Sequence, residues 1–124
     1  MEEEQRRIAE AISRLRERVR WRPGRDVQHL AKRIALGHLP DRTTVADYDA
    51  LILHVVSTPT ATVFAYHWGE TLYPTVVAEV KGVRWLVMLG LDGLMETAFS
   101  PEDPETYLAN PRFHRLGTLE ELGL

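Results

Sequence analysis

Cysteine is missing altogether from the chain. Its absence excludes disulfides, thiolate zinc sites and a cysteine nucleophile, and it fits a reducing compartment. Lysine is scarce as well: thirteen arginines stand against two lysines. That bias suits a GC-rich or heat-adapted source and follows equally from genome composition. No long apolar run occurs either. The longest lies around Trp85 to Leu91, far short of the roughly 20 residues of a membrane span. The start, Met1-Glu2-Glu3-Glu4, is acidic where a signal peptide is basic and then apolar. A cytoplasmic chain without membrane association is therefore expected. The familiar catalytic signatures are also absent, with no Gly-rich phosphate loop, no Gly-x-Ser-x-Gly elbow and no His-Glu-x-x-His pair.

What is present suits one globular domain. A chain of 124 residues, 44% of them apolar, can bury roughly two-thirds of its unfolded surface. Net charge is −3, unevenly spread. Residues 1–33 carry ten Arg and Lys against six Asp and Glu; residues 34–124 carry five against twelve. Overall acidity disfavours sequence-independent binding to nucleic acid, which depends on neutralising phosphates. The basic N-terminal third is where such binding would start, unless it is simply a solvated helix face of mixed charge.

Ile8, Ala11, Ile12, Leu15 and Val19 recur at helical spacing, which predicts an amphipathic helix over residues 3–20, ended by Pro23-Gly24. This N-terminal segment, 1–22, can be set apart from an α+β body over 23–124 within one compact unit. Its narrow stripe leaves open a protein partner or a homodimer through residues 3–20. A second helix follows Gly24, with Asp26 as a candidate cap and Val27, Leu30 and Ile34 on one face, and Gly37 stops it. Thr44-Val45-Ala46-Asp47 matches a capping box ahead of a third helix carrying Tyr48, Leu51, Ile52, Val55 and Val56.

After Pro59 the period changes to that of strands: Ala61 to His67, Leu72 to Val80, Val83 to Leu89 and Leu94 to Phe99. Pro74 marks an edge or bulge, and Lys81-Gly82 and Asp92-Gly93 are turn signals. Val83 to Leu89, apolar on both faces, reads as a central strand. Tyr107, Leu108, Phe113 and Leu116 anchor a C-terminal segment on the core. The fold class expected is α+β, N-terminal helices followed by a roughly four-stranded antiparallel sheet.

Five histidines are present, none spaced from another so as to build a metal site alone. No metal and no cofactor is expected. The local set richest in chemistry is His29-Leu30-Ala31-Lys32-Arg33. On a helix, His29 projects beside Lys32 and Arg33 at i+3 and i+4. An imidazole moves protons near neutral pH, and adjacent cations stabilise a phosphorane-like transition state. The alternative is an exposed basic helix face. Glu79 in an apolar strand, His67, and Thr97 in Glu96-Thr97-Ala98-Phe99 are polar groups in sheet positions that can contact substrate or simply face water.

Several of these segments, in this order, resemble the barnase–EndoU–colicin–RelE-like nuclease superfamily, particularly its phage- and toxin-associated members. The pieces are His29-Leu30-Ala31-Lys32-Arg33, Thr44-Val45-Ala46-Asp47-Tyr48 opening an aliphatic helix, and the strand-rich stretch from Tyr73 to Phe99, closing with Thr97-Ala98-Phe99. They span roughly residues 25–100. The resemblance implies helices before a curved antiparallel sheet, and metal-independent RNA cleavage through 2′-hydroxyl attack. It implies His29 as general acid or base, Lys32 or Arg33 as phosphate clamp, and Thr97 on the closing strand near the scissile phosphate. The expected catalytic set is His29, Arg33 and Thr97, with Lys32, His67 and Glu79 binding substrate. The competing expectation is a non-catalytic interaction module of the same fold, using the Arg-rich first helix or a sheet edge.

Overall fold

The computed structural model describes residues 2–124; Met1, the first residue of the acidic start, lies outside them. Helix α1 (Glu3–Glu17) follows the expected stripe, with Ile8, Ala11, Ile12 and Leu15 buried. On its outer face Arg6 pairs with Glu3 and Glu10. The stripe lies in the chain's own core, packed with residues of the sheet and the third helix.

The helix ends well before Pro23-Gly24. From Arg18 the backbone is extended, Met95 N–H donates to Arg20 C=O at 2.8 Å, and Trp21 bridges Met95 in parallel fashion. This pairing with a distant strand outweighs the local helical pattern that would continue to residue 20.

Helix α2 (Arg25–Ala35) starts at Gly24 with no side-chain cap; Asp26 accepts instead from the neighbouring Val27 N–H at 2.8 Å. Leu30 and Arg33 are its buried residues, whereas Val27 is 61% exposed and Leu36 58%. Of the expected Val27–Leu30–Ile34 face, Leu30 is buried and Ile34 packs against the core, while Val27 faces solvent. Only a narrow strip of α2 meets its neighbours, and an arginine is part of that strip. Gly37, at φ 77°, ends the helix. Its N–H bonds Ile34 C=O at 3.0 Å and the His38 N–H bonds Arg33 C=O at 2.8 Å, the pair of bonds that defines a Schellman turn.

Helix α3 (Val45–Ser57) opens on the expected capping box. Asp47 N–H donates to Thr44 Oγ1 at 3.1 Å, and Thr44 N–H donates to Asp47 Oδ2 at 3.0 Å. Tyr48, Ile52, Val55 and Val56 are buried along it.

The remainder is an antiparallel sheet of β1 (Thr62–Trp68), β2 (Thr71–Val80), β3 (Val83–Leu89), β4 (Met95–Phe99) and, after the short helix α4 (Pro104–Leu108), β5 (Phe113–Thr118). The class is the α+β one expected, with five strands rather than about four. The additional strand, β5, pairs with β1, and a bulge shifts the register between Val63 and Phe64. Its spatial order is β4-β3-β2-β1-β5, which makes β2 the middle strand and β3 the next one out. Trp85 to Leu89 of β3 are nonetheless buried on both faces. Pro74 pairs with Ala65 on β1, and the β2–β3 ladder begins one residue later at Thr75↔Met88. Its missing N–H thus falls outside that ladder.

Two turns rely on left-handed backbone. Lys81 and Gly82, at φ 51° and 79°, make a type I′ hairpin. At Asp92-Gly93 the loop has three residues: Gly90 N–H reaches Leu94 C=O at 2.8 Å, and Gly93, at φ 84°, supplies the left-handed step.

Helices α1 and α3 cover one sheet face over Val63, Ala65, Val76, Val87 and Leu89. The opposite face is aromatic, with Phe64, Tyr66, Tyr73, Phe99 and Phe113 partly covered by Tyr107 and Leu108 of α4. The last residues return to α1, where Ile8 and Ala9 share a small hollow with Leu116, Leu122 and Leu124. No helix among the described residues is long and apolar enough to cross a membrane.

Candidate functional site

Strand β4 is a sheet margin, and a bare margin invites pairing with other chains. Here its outer side is closed. Met95 N–H is taken by Arg20 C=O, and the fully buried Tyr48 hydroxyl donates to Ala98 C=O. Helix α2 packs alongside, and this brings its polar side chains to the sheet.

His29 Nδ1 lies 3.3 Å from Thr97 Oγ1, a contact across 68 positions of sequence. The direction of that hydrogen bond follows the imidazole tautomer. One helical turn further on, the Arg33 guanidinium sits over the Phe99 ring, 5.5 Å from its centroid. The two pairs match because their rises match: four helical residues advance about 6 Å and two strand residues about 6.6 Å.

The His29 ring is held from behind. Trp21 stacks at 5.3 Å from it and at 5.6 Å from Tyr48, and the indole N–H donates to Asp49 Oδ1 at 3.0 Å. Partial burial, and then the charges of Arg25, Arg33 and Lys32, lower the proton affinity of His29 below that of a free imidazole. It is therefore mostly neutral at pH 7, the form a general base needs. Burial pushes the Tyr48 phenol up to about 12, so this hydroxyl keeps its proton. Burial likewise raises the Asp49 carboxyl, against the effect of its bond from Trp21.

Arg33 is 4% exposed. Its Nε is sealed without a hydrogen-bond partner, and its Nη1 lies 3.5 Å from His38 Nδ1. No carboxylate forms an ion pair with it among the described residues. His38 in turn lies edge-on to Trp85, with ring centroids 6.4 Å apart.

Of the residues expected from sequence, His29, Arg33 and Thr97 come together. Lys32 is exposed on the same helix and acts on His29 through its charge. His67 and Glu79 lie elsewhere. His67 is on β1, three strands from β4 and thus on the order of 14 Å away. It approaches Glu4 at 3.8 Å and the His114 ring at 4.9 Å. Glu79 is exposed near the far end of β2, beside its cross-strand neighbour Arg84. Trp21, His38 and Asp49 belong to the cluster without having been singled out by sequence reasoning, and Tyr48 was read only as part of the third helix. Trp21 fell in a segment read as a helix end, and His38 lay between the Gly37 stop and the capping box at Thr44. The usable signal was Gly37-His38 itself, because a glycine stop turns the next residue back on the helix.

Trp21 also lines a surface hollow of about 430 Å³, together with Arg18, Arg20, Arg22, Asp26 and Asp49. Arg22 is tied to Glu96 at 2.7 Å, while Arg18 and Arg20 form no ion pair among the described residues. No group of three or more metal-ligating side chains occurs among the described residues. Comparison with protein-family models, curated proteins and solved structures finds no match to this chain.

Proposed function

We propose that this protein cleaves RNA without a metal, by attack of a 2′-hydroxyl on the adjacent phosphodiester at the contact between α2 and β4. The observation that carries the reading is the meeting of His29 with Thr97, with Arg33 one turn away. Two elements, α2 with His29 and Arg33 and β4 with Thr97, meet where the resemblance to the barnase–EndoU–colicin–RelE-like superfamily implies chemistry. The same resemblance supports a toxin or phage-derived role.

Thr97 occupies Nδ1 of His29, so proton transfer to substrate falls to Nε2. Nε2 accepts the 2′-hydroxyl proton, the 2′-oxygen bonds to phosphorus, and the bond from phosphorus to the 5′-oxygen breaks. The departing 5′-oxygen takes a proton from water, leaving a 2′,3′-cyclic phosphate and a 5′-hydroxyl, and the His29 imidazolium returns its proton to solvent. Arg33 offsets the charge that builds on the phosphorane. Lys32, with the unpaired Arg18 and Arg20 near Trp21, draws the RNA backbone toward the site. A cytoplasmic setting agrees with the lack of cysteine.

Incubation with RNA in excess chelator is expected to yield fragments with 2′,3′-cyclic ends. His29→Ala is expected to slow this by about a hundredfold or more, the usual contribution of a positioned general base. Absence of cleavage with every RNA tried would end the reading. Wild-type rates in both His29→Ala and Arg33→Ala would end the residue assignment.

One observation favours a second reading, a non-catalytic module that binds a protein partner. Arg7, Arg14 and Arg18, exposed on or just beyond α1, form no ion pairs among the described residues. That reading expects a stable complex that is lost when these three arginines become Gln, in a protein that leaves RNA intact.

A further inference from the structure

The turn after α2 breaks a local rule. In a Schellman turn the residue after the glycine usually makes an apolar contact with the side chain five positions back. Here those positions hold His38 and Arg33, and their side chains meet at 3.5 Å. Two groups capable of positive charge thus stand where a hydrophobic pair would cost nothing. Local rules broken in this way point to function.

The pairing also sets the chemistry of the imidazole. A guanidinium only donates hydrogen bonds. Nδ1 of His38 must therefore be the acceptor, which leaves the proton of the neutral ring on Nε2. His38, half-buried, presents an N–H donor backed by a buried guanidinium. The negative end of the α2 dipole attracts such cations in general. Here, however, the turn's own N–H groups already occupy Arg33 C=O and Ile34 C=O, and Nε of Arg33 has no acceptor among the described residues. Among the described residues no carboxylate pairs with this charge, so it is free to meet an external anion.

We propose that His38, with Arg33 behind it, is an oxyanion-binding site for a phosphate group. The inference deepens the nuclease reading and rests on it for its substrate: His38 would receive the scissile phosphate while His29 moves the proton. His38 becomes a substrate-binding residue and Arg33 its charged support.

Imidazole nitrogen NMR of the full chain, titrated with inorganic phosphate, tests this directly. The free protein is expected to show His38 as the Nε2–H tautomer. Phosphate is expected to produce a saturable shift at His38 and none at His54 or His114. Arg33→Met and His38→Phe, each restoring an apolar contact at the turn, are expected to weaken phosphate binding by at least about tenfold, the loss of a charge-assisted hydrogen bond. If Arg33→Met does not fold, the wild-type titration and His38→Phe decide alone. An Nδ1–H tautomer, no saturable shift, or a phosphate affinity undiminished in the variants by isothermal titration calorimetry overturns the proposal. RNA cleavage with no phosphate response at His38 removes this site and keeps the nuclease. A phosphate response without cleavage of any RNA does the reverse.

Discussion

His29 and His38 both hold a proton less tightly than a free imidazole, first because each is partly desolvated and then because each lies near Arg33. In the unfolded chain both titrate near 6.5. Above that value they are neutral in both states and their contribution to stability is fully present. As pH falls below it the unfolded chain takes up protons first, and the contribution is lost on the way down through the folded values. Asp49 has the opposite sign. Its raised carboxyl adds stability below about 3.8, which is lost as pH rises through its folded value, so it acts in a lower window. The thermal midpoint is therefore expected to drop as pH is lowered from 6.5, before the carboxylates protonate. His29→Gln and His38→Gln are each expected to flatten that slope in scanning calorimetry; an unchanged slope in both removes the histidines as its cause. At this scale the sequence was readable where spacing carries the information. His29 and Arg33 are one helical turn apart, and Thr97 stood out as a polar residue in a strand. His38 was not readable, because its position depends on a backbone turn rather than on a period.

The turn that positions His38 rests on a single left-handed residue. Gly37 sits at φ 77°, and a Cβ added there would meet nothing within 4 Å. Gly37→Ala therefore carries the conformational penalty alone, about 1 kcal/mol. Urea unfolding is expected to show that loss, accompanied by the loss of His38 contact with Arg33; a neutral substitution would mean the turn tolerates another geometry. Elements with their own end signals were legible in the same way. The capping box at Thr44 and Asp47 and the glycine at 37 fixed helix ends from neighbouring residues alone. The end of α1 was not legible, because Arg18 to Trp21 leave the helix to pair with Met95, far along the chain. Strand β5 was equally obscure. Its alternation is interrupted by a bulge and by Gly117, and it forms only because β1 offers a free margin.

Across the whole molecule, the class of fold followed from order: helices first, strands afterwards, with apolar residues on both faces of β3. Strand order was less accessible, since β5 reaches β1 across the full length of the meander. The same reach governs α1. Ile8 is 1% exposed, and its neighbours include Leu116, Leu122 and Leu124. Ile8→Ala is expected to cost about 2–5 kcal/mol by leaving a cavity in the main core. Stopped-flow measurements are expected to place most of that cost in faster unfolding, with refolding nearly unchanged. A refolding rate that falls in proportion would put this contact in the folding nucleus instead.

The hollow that α1 shares with Leu116, Leu122 and Leu124 has a consequence for how the protein is made. Strands β1 to β4 pair in sequence order, so each hairpin can close as soon as it has left the ribosome. The docking of α1 is sealed by residues synthesised more than a hundred positions later. Until Leu122 emerges, Ile8 lacks part of its cover. Helix α1 is thus made well before the residues that lock it, and part of its apolar stripe stays uncovered while the intervening strands are synthesised.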